Sequence, residues 1–444
     1  MIKQPWYTLF TDMMKRNKMI LGKHMKTRTK KNHRNSAWIR IILLLFFTTL
    51  IGGYIFILSQ DENNSNNQEE IEKEKAREVK RIELINEANV MISGYYYQEA
   101  IDLLKSNPDV YNDRMKNEVK KIEDFVAELK PYTGRIEHVF FHSLIVYPEL
   151  AFGPNSSQPQ GYNYWMTTEL EFQRMLPLLM ERGYVLVRIS DLYDVDSQGN
   201  VSKKELYLPQ GKRPLLMSVD NVGYPETRKK EGFASRLIID DNNEVSVIIR
   251  NPEGVEIESR SAEVFPIVDD FVKAHPQFSY KGAKGIIGIT GSWGVMGYDP
   301  KIATETATAK KIVLRLKELG WEFASHSYTH ADGKYFSESS TLEGIKEDTE
   351  LFKQWIVPII GDSNVFIAPF GITLKGELYQ YFIDEGYTFY LNVDRRSQPK
   401  IIGKSVLMPR INLDGFAMNR DKEYITEHFF DVDKVYDARR PVFQ

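Results

Sequence analysis

Residues 322–330 read Glu-Phe-Ala-Ser-His-Ser-Tyr-Thr-His. The short run Glu322–Ser325 has the apolar residues Phe323 and Ala324 at its centre and predicts a strand, and His326 and His330 follow it. Two histidines four positions apart can present both imidazoles to one metal ion. The alternative is two surface histidines on a turn, but the pair's position directly behind a strand favours a metal site.

A second strand end carries polar groups of complementary chemistry. The apolar run Pro214–Val219 predicts a strand, and Asp220 and Asn221 follow it. A carboxylate in this position can act as a general base, and the amide oxygen beside it is a third possible metal ligand. A turn-capping carboxylate is the alternative for a lone aspartate, and the histidine pair at another strand end makes it less favoured.

From Gly134 onward, short apolar runs alternate with amphipathic stretches. The predicted strands are His138–Val146, Val185–Ile189, Pro214–Val219, Gly285–Thr290, Glu322–Ser325, Val365–Ala368, Thr388–Val393 and Ser405–Ile411. The predicted helices are Thr168–Arg182, Ala262–His275, Ala303–Leu319, Leu342–Trp355 and Lys375–Asp384. This alternation predicts an α/β architecture with a parallel sheet, open or closed into a barrel. The stretch Leu237–Ser261 departs from it and predicts an inserted β-hairpin.

Three further polar residues lie at or near predicted strand ends, where such folds place their chemistry. His142 lies in the first strand, and a histidine there is as often a satisfied core residue as a functional one. Asp394 follows Thr388–Val393, and Arg410 lies near the end of Ser405–Ile411. Each of these residues is a weak indication by itself.

The start of the chain predicts a membrane anchor. Residues 1–36 carry ten Lys and Arg side chains against one acid, Asp12, and the eighteen residues Ile41–Leu58 carry no charge. Counted from Ala37, this span reaches the roughly 20 residues that a bilayer requires. We therefore expect a basic cytoplasmic segment (1–36), a transmembrane helix (37–58) and an extracytoplasmic remainder. A cleaved signal peptide is the alternative, which the missing small-x-small cleavage site disfavours.

The segment between the anchor and the barrel region has two parts. Residues 59–70 are polar and predict a linker. Residues 71–132 have helical periodicity and contain one tetratricopeptide-like helix pair, which alone cannot form a solenoid. The simpler interpretation is a helical stalk or docking hairpin, which could bind an envelope protein. The barrel domain is predicted over 133–444.

Composition excludes several classes of function. The chain has no cysteine, so disulfides, thiolate nucleophiles and cysteine-ligated zinc are excluded. The net charge of −3 gives no overall indication of a nucleic-acid partner.

Taken together, these motifs resemble those of the NodB-homology polysaccharide deacetylases, carbohydrate esterase family four, from about Gly134 to the C-terminus. Ser218–Asn221 is similar to the family's T-F-D-D motif, and His326–His330 matches its H-S-x-x-H motif. Pro369–Gly371 is similar to the core of its R-x-P-[FY] motif. The histidine motif is specific, and the other two support it.

The resemblance implies a NodB-type (β/α) barrel that removes acetyl groups from an N-acetylated polysaccharide of the peptidoglycan or poly-N-acetylglucosamine type. Asp220 would be the general base. Asn221, His326 and His330 would hold a divalent metal ion, usually zinc, which polarises the attacking water and the acetamide carbonyl.

The sequence departs from the family pattern at three places. Asn221 replaces an aspartate, and Ile367 replaces the arginine that orients the base. Met408-Pro409-Arg410 stands where the family has L-x-H, whose histidine protonates the leaving amine. The resemblance then leaves Arg410 to stabilise charge and His142 to supply the acid, with His428 a weaker candidate. Asp394 would orient one of these groups.

Two other functions remain open. A non-catalytic relative that binds glycan and organises envelope partners would fit the three departures, and an O-deacetylase could use the same barrel. Aromatic side chains that could stack on sugar rings, or instead pack the barrel, are Tyr162, Tyr164, Trp165, Trp293, Tyr298 and Tyr328.

Overall fold

The computed structural model describes residues 65–443. The predicted basic segment, transmembrane helix and most of the linker lie outside the described residues. Within the described range, no helix combines the length and the apolar character needed to cross a membrane.

The chain forms two compact units. Of the described residues, the first unit contains 65–87 and Asp102–Glu118, and the second contains Ala88–Ile101 and 119–443. The region predicted to be helical contains three helices, Ser65–Ser93, Tyr97–Lys105 and Asp113–Glu128. In the first unit, the buried Arg81 donates to the Val110 carbonyl at 2.7 Å and pairs with Glu74 at 2.6 Å.

A nine-stranded sheet forms the centre of the second unit. Its strands are β1 (Glu137–Phe141), β2 (Tyr184–Leu186), β3 (Arg213–Val219), β4 (Ile286–Ile289), β5 (Glu322–Ser325), β6 (Val365–Ile367), β7 (Phe389–Val393), β8 (Lys400–Ile402) and β9 (Ser405–Asn412). Seven of them form a closed parallel ring in the order β3-β4-β5-β6-β7-β9-β1. The predicted parallel α/β barrel is therefore confirmed, and it is closed.

The ring closes because one edge of β3 pairs with two strands, β2 near its start and β4 near its end. The first residues of β3 pair with β2, at Tyr184↔Arg213 and its neighbours, whereas its last residues pair with β4, at Ile286↔Ser218 and Ile287↔Val219. The opposite edge of β3 pairs with β1. Because all ring strands are parallel, their carboxyl ends meet on one rim, which is where barrel chemistry collects.

Helices follow most of the strands, as the alternating pattern predicts. Those of the barrel region are Pro148–Ala151, Pro159–Trp165, Glu169–Glu181, Val264–Ala274, Ala303–Glu318, Leu342–Trp355, Val357–Ile360, Glu377–Asp384, Gly415–Arg420, Lys422–His428 and Val432–Val435. Thr168 begins one of them with a capping box: its hydroxyl accepts from the Glu171 amide, and the Glu171 carboxylate accepts from the Thr168 amide. The apolar faces of the helices and the buried strand residues form the core.

The insert between β3 and β4 is larger than the predicted hairpin. It is a three-stranded antiparallel sheet of Ala234–Ile239, Val245–Arg250 and Glu256–Ser259. The third strand follows the turn Asn251–Gly254 and is short and mostly exposed, with Ile257 its one apolar residue, so the sequence did not distinguish it from a loop. Shorter two-stranded sheets join Lys130–Pro131 to Tyr207–Leu208 and Tyr193–Val195 to Val201–Lys203.

The turn after the first helix belongs to the core of the second unit. Tyr95 is 3% exposed, packs in the cluster that contains Val187 and Leu216, and donates its hydroxyl to the Gln277 carbonyl at 2.9 Å. The Lys281 amide donates to the Gly94 carbonyl at 3.0 Å. The structure thus places part of the predicted stalk segment in the same compact unit as the barrel.

Candidate functional site

Asp220 is the first residue after β3. Its amide donates to the Phe141 carbonyl at the end of β1, at 2.8 Å, so two strands fix its backbone. Its buried carboxylate receives two parallel hydrogen bonds from Arg410, from Nη1 to Oδ1 at 2.8 Å and from Nη2 to Oδ2 at 3.0 Å. This bidentate geometry is the strongest arrangement of an arginine and a carboxylate.

The charge state of Asp220 follows from this pairing. Burial raises the pKa of Asp220, but Arg410 and the nearby His326 outweigh burial and lower that pKa to about 2. Asp220 is therefore ionised at neutral pH and can accept a proton. With this low pKa, the Asp220 carboxylate is a weak base. It accepts a proton readily only from a donor whose own pKa has been lowered.

Arg410 reaches Asp220 from β9, on a strand separate from Ile367. Arg410 is 1% exposed, and its guanidinium carbon lies 4.2 Å from the centre of the Phe140 ring. Ile367, at the end of β6, is fully buried and apolar. Position 367 thus carries no arginine, and the guanidinium that contacts Asp220 comes from another strand, β9.

His326 follows β5 and is oriented by β6. Its Nδ1 lies 2.9 Å from the Ile367 carbonyl, which can only accept, so Nδ1 carries the proton and Nε2 is free. That Nε2 lies 3.8 Å from Asp220 Oδ2. Burial and the neighbouring His330 lower the pKa of His326 to about 3 despite Asp220. A neutral histidine with one nitrogen fixed and the other free is the form that binds metals.

His330 is the second member of the pair. Its ring centre is 4.8 Å from that of His326, with the two planes 71° apart. Its amide donates to Ser327 Oγ at 2.9 Å. Both Ser327 (φ 63°) and His330 (φ 47°) have left-handed backbone conformations, which cost free energy unless the surroundings impose them.

Asp348 imposes that loop conformation. Its carboxylate accepts from the amides of Tyr328 and Thr329 at 2.9 and 2.7 Å, and from the Thr329 hydroxyl at 2.6 Å. We did not identify Asp348 from the sequence. The available signal was a carboxylate in the buried face of Leu342–Trp355, beside Ile345 and Phe352, since buried acids need partners.

Asn221 also has a left-handed backbone, with φ 64°. Its side-chain Oδ1 accepts from Thr290 Oγ1 at 2.7 Å, which leaves one lone pair for another partner. The described residues contain no group of three or more His, Cys, Asp or Glu side chains placed to hold a metal. Two imidazole nitrogens and one amide oxygen fit a metal such as zinc better than an oxygen-seeking ion.

His142 lies just beyond β1. Its Nδ1 is 3.0 Å from the Trp165 carbonyl, so Nδ1 carries the proton and Nε2 has a lone pair. Burial lowers the pKa of His142 to about 4, although Asp220 opposes this. At neutral pH His142 is therefore a hydrogen-bond acceptor at Nε2. Its predicted role as the acid stays a prediction, and it requires a proton that the free protein does not hold there.

The structure does not bring two of the predicted residues into this group. The Asp394 carboxylate accepts from the Arg396 amide at 3.0 Å and from the Ser397 hydroxyl, within its own turn. His428 packs on Tyr424, with ring centres 4.3 Å apart, at the end of the helix Lys422–His428. The Asp394 amide does donate to the Arg410 carbonyl, at 3.2 Å, so the orienting role predicted for Asp394 stays a prediction, with the backbone rather than the carboxylate in contact.

Aromatic rings surround the histidine pair. Trp293 and Phe370 lie on His330 with ring centres 5.6 and 4.7 Å away, and Phe370 is 57% exposed. Trp165, whose carbonyl contacts His142, is 49% exposed. Of the other aromatic residues that the sequence singled out, Tyr162 and Tyr328 are buried and pack the fold.

No protein-family model and no curated protein matches the chain. The deacetylase PplD of Streptococcus pyogenes, solved with acetate, is 14% identical with a TM-score of 0.38, and the match covers 68% of this chain and 99% of that one. A de-N-acetylase from Aggregatibacter actinomycetemcomitans is 15% identical, with a TM-score of 0.38 and coverage of 64% and 96%. IcaB from Ammonifex degensii is 10% identical, with a TM-score of 0.36 and coverage of 66% and 97%. Likeness at this level assigns no role to any residue here.

Proposed function

We propose that this protein is a metal-dependent N-deacetylase of an N-acetylated cell-wall or surface polysaccharide. The observation that carries the proposal is the pairing of Asp220 with Arg410, 3.8 Å from the free nitrogen of His326. This places an ionised proton acceptor beside an imidazole that is prepared for a metal, on the rim where the strands end.

Asn221, His326 and His330 would hold the metal ion, which we propose to be zinc. Bound there, the ion would act as a Lewis acid toward the acetamide carbonyl and lower the pKa of the attacking water. That contribution matters here because Arg410 lowers the pKa of Asp220 to about 2 and so weakens it as a base.

Asp220 accepts a proton from water as the water oxygen bonds to the acetyl carbon. The carbon–nitrogen bond then breaks, the nitrogen takes up a proton, and acetate and a free amine leave. Arg410 cannot supply this proton, because a guanidinium does not deprotonate in proteins. Asp220, which has just gained one, can return it, and His142 is the second candidate once it is protonated.

The rim suits a sugar substrate. Trp293 and Phe370 present aromatic surface beside His330, and the half-exposed Trp165 lies beside His142. Such surface packs well against the apolar faces of sugar rings. We further propose that residues 37–58 anchor the protein in the membrane with the barrel outside the cytoplasm, next to the cell wall. The helical segment is then available to an envelope protein.

Acetate release tests the proposal. The full-length chain in detergent would be given N-acetylated peptidoglycan fragments and chito-oligosaccharides, with zinc, with cobalt or with a chelator. We expect metal-dependent release that Asp220→Asn abolishes and that Asp241→Asn, the same chemical change at an exposed turn of the insert, leaves in place. Glycan binding with no release under any metal condition would instead establish a non-catalytic relative. Faster release from O-acetylated glycans would identify an O-deacetylase.

A further inference from the structure

Two more buried polar side chains, Ser218 and His138, extend the hydrogen-bonded chain from Asp220 and Arg410 into the barrel. Arg410 Nη1 donates to Ser218 Oγ at 3.0 Å, and Ser218 Oγ is 3.1 Å from His138 Nε2. Ser218 is fully buried and His138 is 2% exposed. Ser218 belongs to the motif Ser218–Asn221 and His138 lies inside β1, but the sequence assigned a role to neither side chain.

The chemistry of the side chains indicates which atom donates and which accepts in each of these hydrogen bonds. A guanidinium only donates, so the Ser218 oxygen accepts from Arg410 and its single proton is available to His138. Ser218 Oγ contacts no other acceptor among the described residues, so we assign its proton to His138 Nε2, which places the ring proton on Nδ1. That nitrogen has no hydrogen-bond partner among the described residues. The arrangement requires His138 to be neutral, and burial, with Arg410 nearby, lowers the pKa of His138 well below its usual value.

Arg410 needs this support because little else fixes its plane. Its Nε has no hydrogen-bond partner among the described residues, and the Phe140 ring contacts only its face. Its remaining polar contacts are the two bonds to Asp220, the group that must gain and lose a proton in the proposed reaction. The bond to Ser218 is thus the one side-chain hydrogen bond among the described contacts that holds the guanidinium independently of Asp220.

We propose that Ser218 and His138 are positioning residues, which hold the Arg410 guanidinium in the plane that its two parallel hydrogen bonds to Asp220 require. This inference rests on the proposed function for its effect on rate. Its structural half, a neutral His138 that accepts from Ser218, does not depend on that function.

Nitrogen-15 NMR of the histidine rings tests the structural half in the wild-type protein, with or without activity. The His138 signals would be assigned by their loss in His138→Gln. We expect a neutral ring with its proton on Nδ1 from pH 5 to pH 8. A proton on Nε2, or titration within this range, would overturn the proposal even if the protein is an active deacetylase.

Steady-state kinetics tests the catalytic half. Ser218→Ala should lower kcat about tenfold, the effect of one lost hydrogen bond to a charged group, with KM unchanged, whereas Ser218→Thr keeps the hydroxyl and most of the rate. His138→Leu should act similarly and His138→Gln should recover part of the rate. Ser246→Ala, a buried strand serine in the insert that bonds the Ser259 carbonyl, is the matched control.

A double-mutant cycle separates positioning from general damage. In an Arg410→Lys background, Ser218→Ala should have little further effect on kcat, because the group that Ser218 positions has gone. Independent, multiplying losses in the two backgrounds would refute the positioning role. An inactive wild-type protein would refute the proposed function and leave the NMR result to decide the arrangement of His138.

Discussion

Arg410 and Asp220 form a buried ion pair, and the loss of Arg410 alone would leave the charge of Asp220 without a partner. Both are buried, and the pair is held by two short hydrogen bonds. Arg410→Met would leave an uncompensated carboxylate in the barrel, which we expect to cost about 3–5 kcal/mol of unfolding free energy. The double variant Arg410→Met/Asp220→Asn should recover most of it. Urea denaturation of the three proteins measures both effects, and equal stability of single and double variants would contradict the ion-pair account.

Glu263 gives the protein a pH-dependent stability. It is fully buried, accepts from the Val264 amide at 2.8 Å, and burial raises its pKa to about 7. The folded state therefore binds a proton between the unfolded pKa near 4.5 and pH 7 that the unfolded state has released. Stability should fall as pH rises through this window, by about 3 kcal/mol, and then level off.

The variant Glu263→Gln isolates that contribution. Its amide keeps the shape and the acceptor without a proton to lose, so the unfolding free energy should depend less on pH than in the wild type. Chemical denaturation at pH 5 and pH 8 gives the comparison. An unchanged difference between the two pH values would show that Glu263 ionises normally.

At the scale of elements, the helix Leu342–Trp355 supports the histidine loop through Asp348. Asp348→Ala should free the strained backbone at Ser327 and His330 and weaken zinc binding about 10- to 100-fold, the usual effect of losing an outer partner of a metal site. Competition with a chromogenic chelator measures this affinity. Glu350→Ala, an exposed change on the same helix, is the control, and equal affinity of the two variants would remove Asp348 from the site.

The sequence was sufficient for eight strands of the central sheet and for the polar residues that follow two of them, but not for the third strand of the insert or for the short helices. All eight predicted strands are present, because each is an apolar run ended by turn residues, and Asp220, Asn221, His326 and His330 follow their strands. The contact from Arg410 to Asp220 could not be predicted, since it depends on which strands become neighbours when the ring closes. Ser218 and His138 lie inside their strands, where no periodicity distinguishes a polar core residue from a packing one.

At the scale of the whole second unit, Arg440 fastens the end of the chain to the barrel. It is 7% exposed, bonds Glu171 at 2.6 and 2.7 Å, and donates to the Met166 carbonyl at 2.6 Å. Arg440→Met would leave Glu171 buried and unpaired, so we expect a loss of about 3–5 kcal/mol, seen as a lower Tm. Arg439→Met, which removes a half-exposed partner of Asp437, should cost much less.

The closed ring also brings together residues that are distant from one another in the sequence. Ile367 and Arg410 lie 43 positions apart in the sequence, yet both face the neighbourhood of His326 and Asp220. A side chain of the same type on a different strand can therefore reach the same place, because all strands of the ring end on one rim. In a closed barrel, the order of such residues along the chain therefore does not determine which of them meet at the rim.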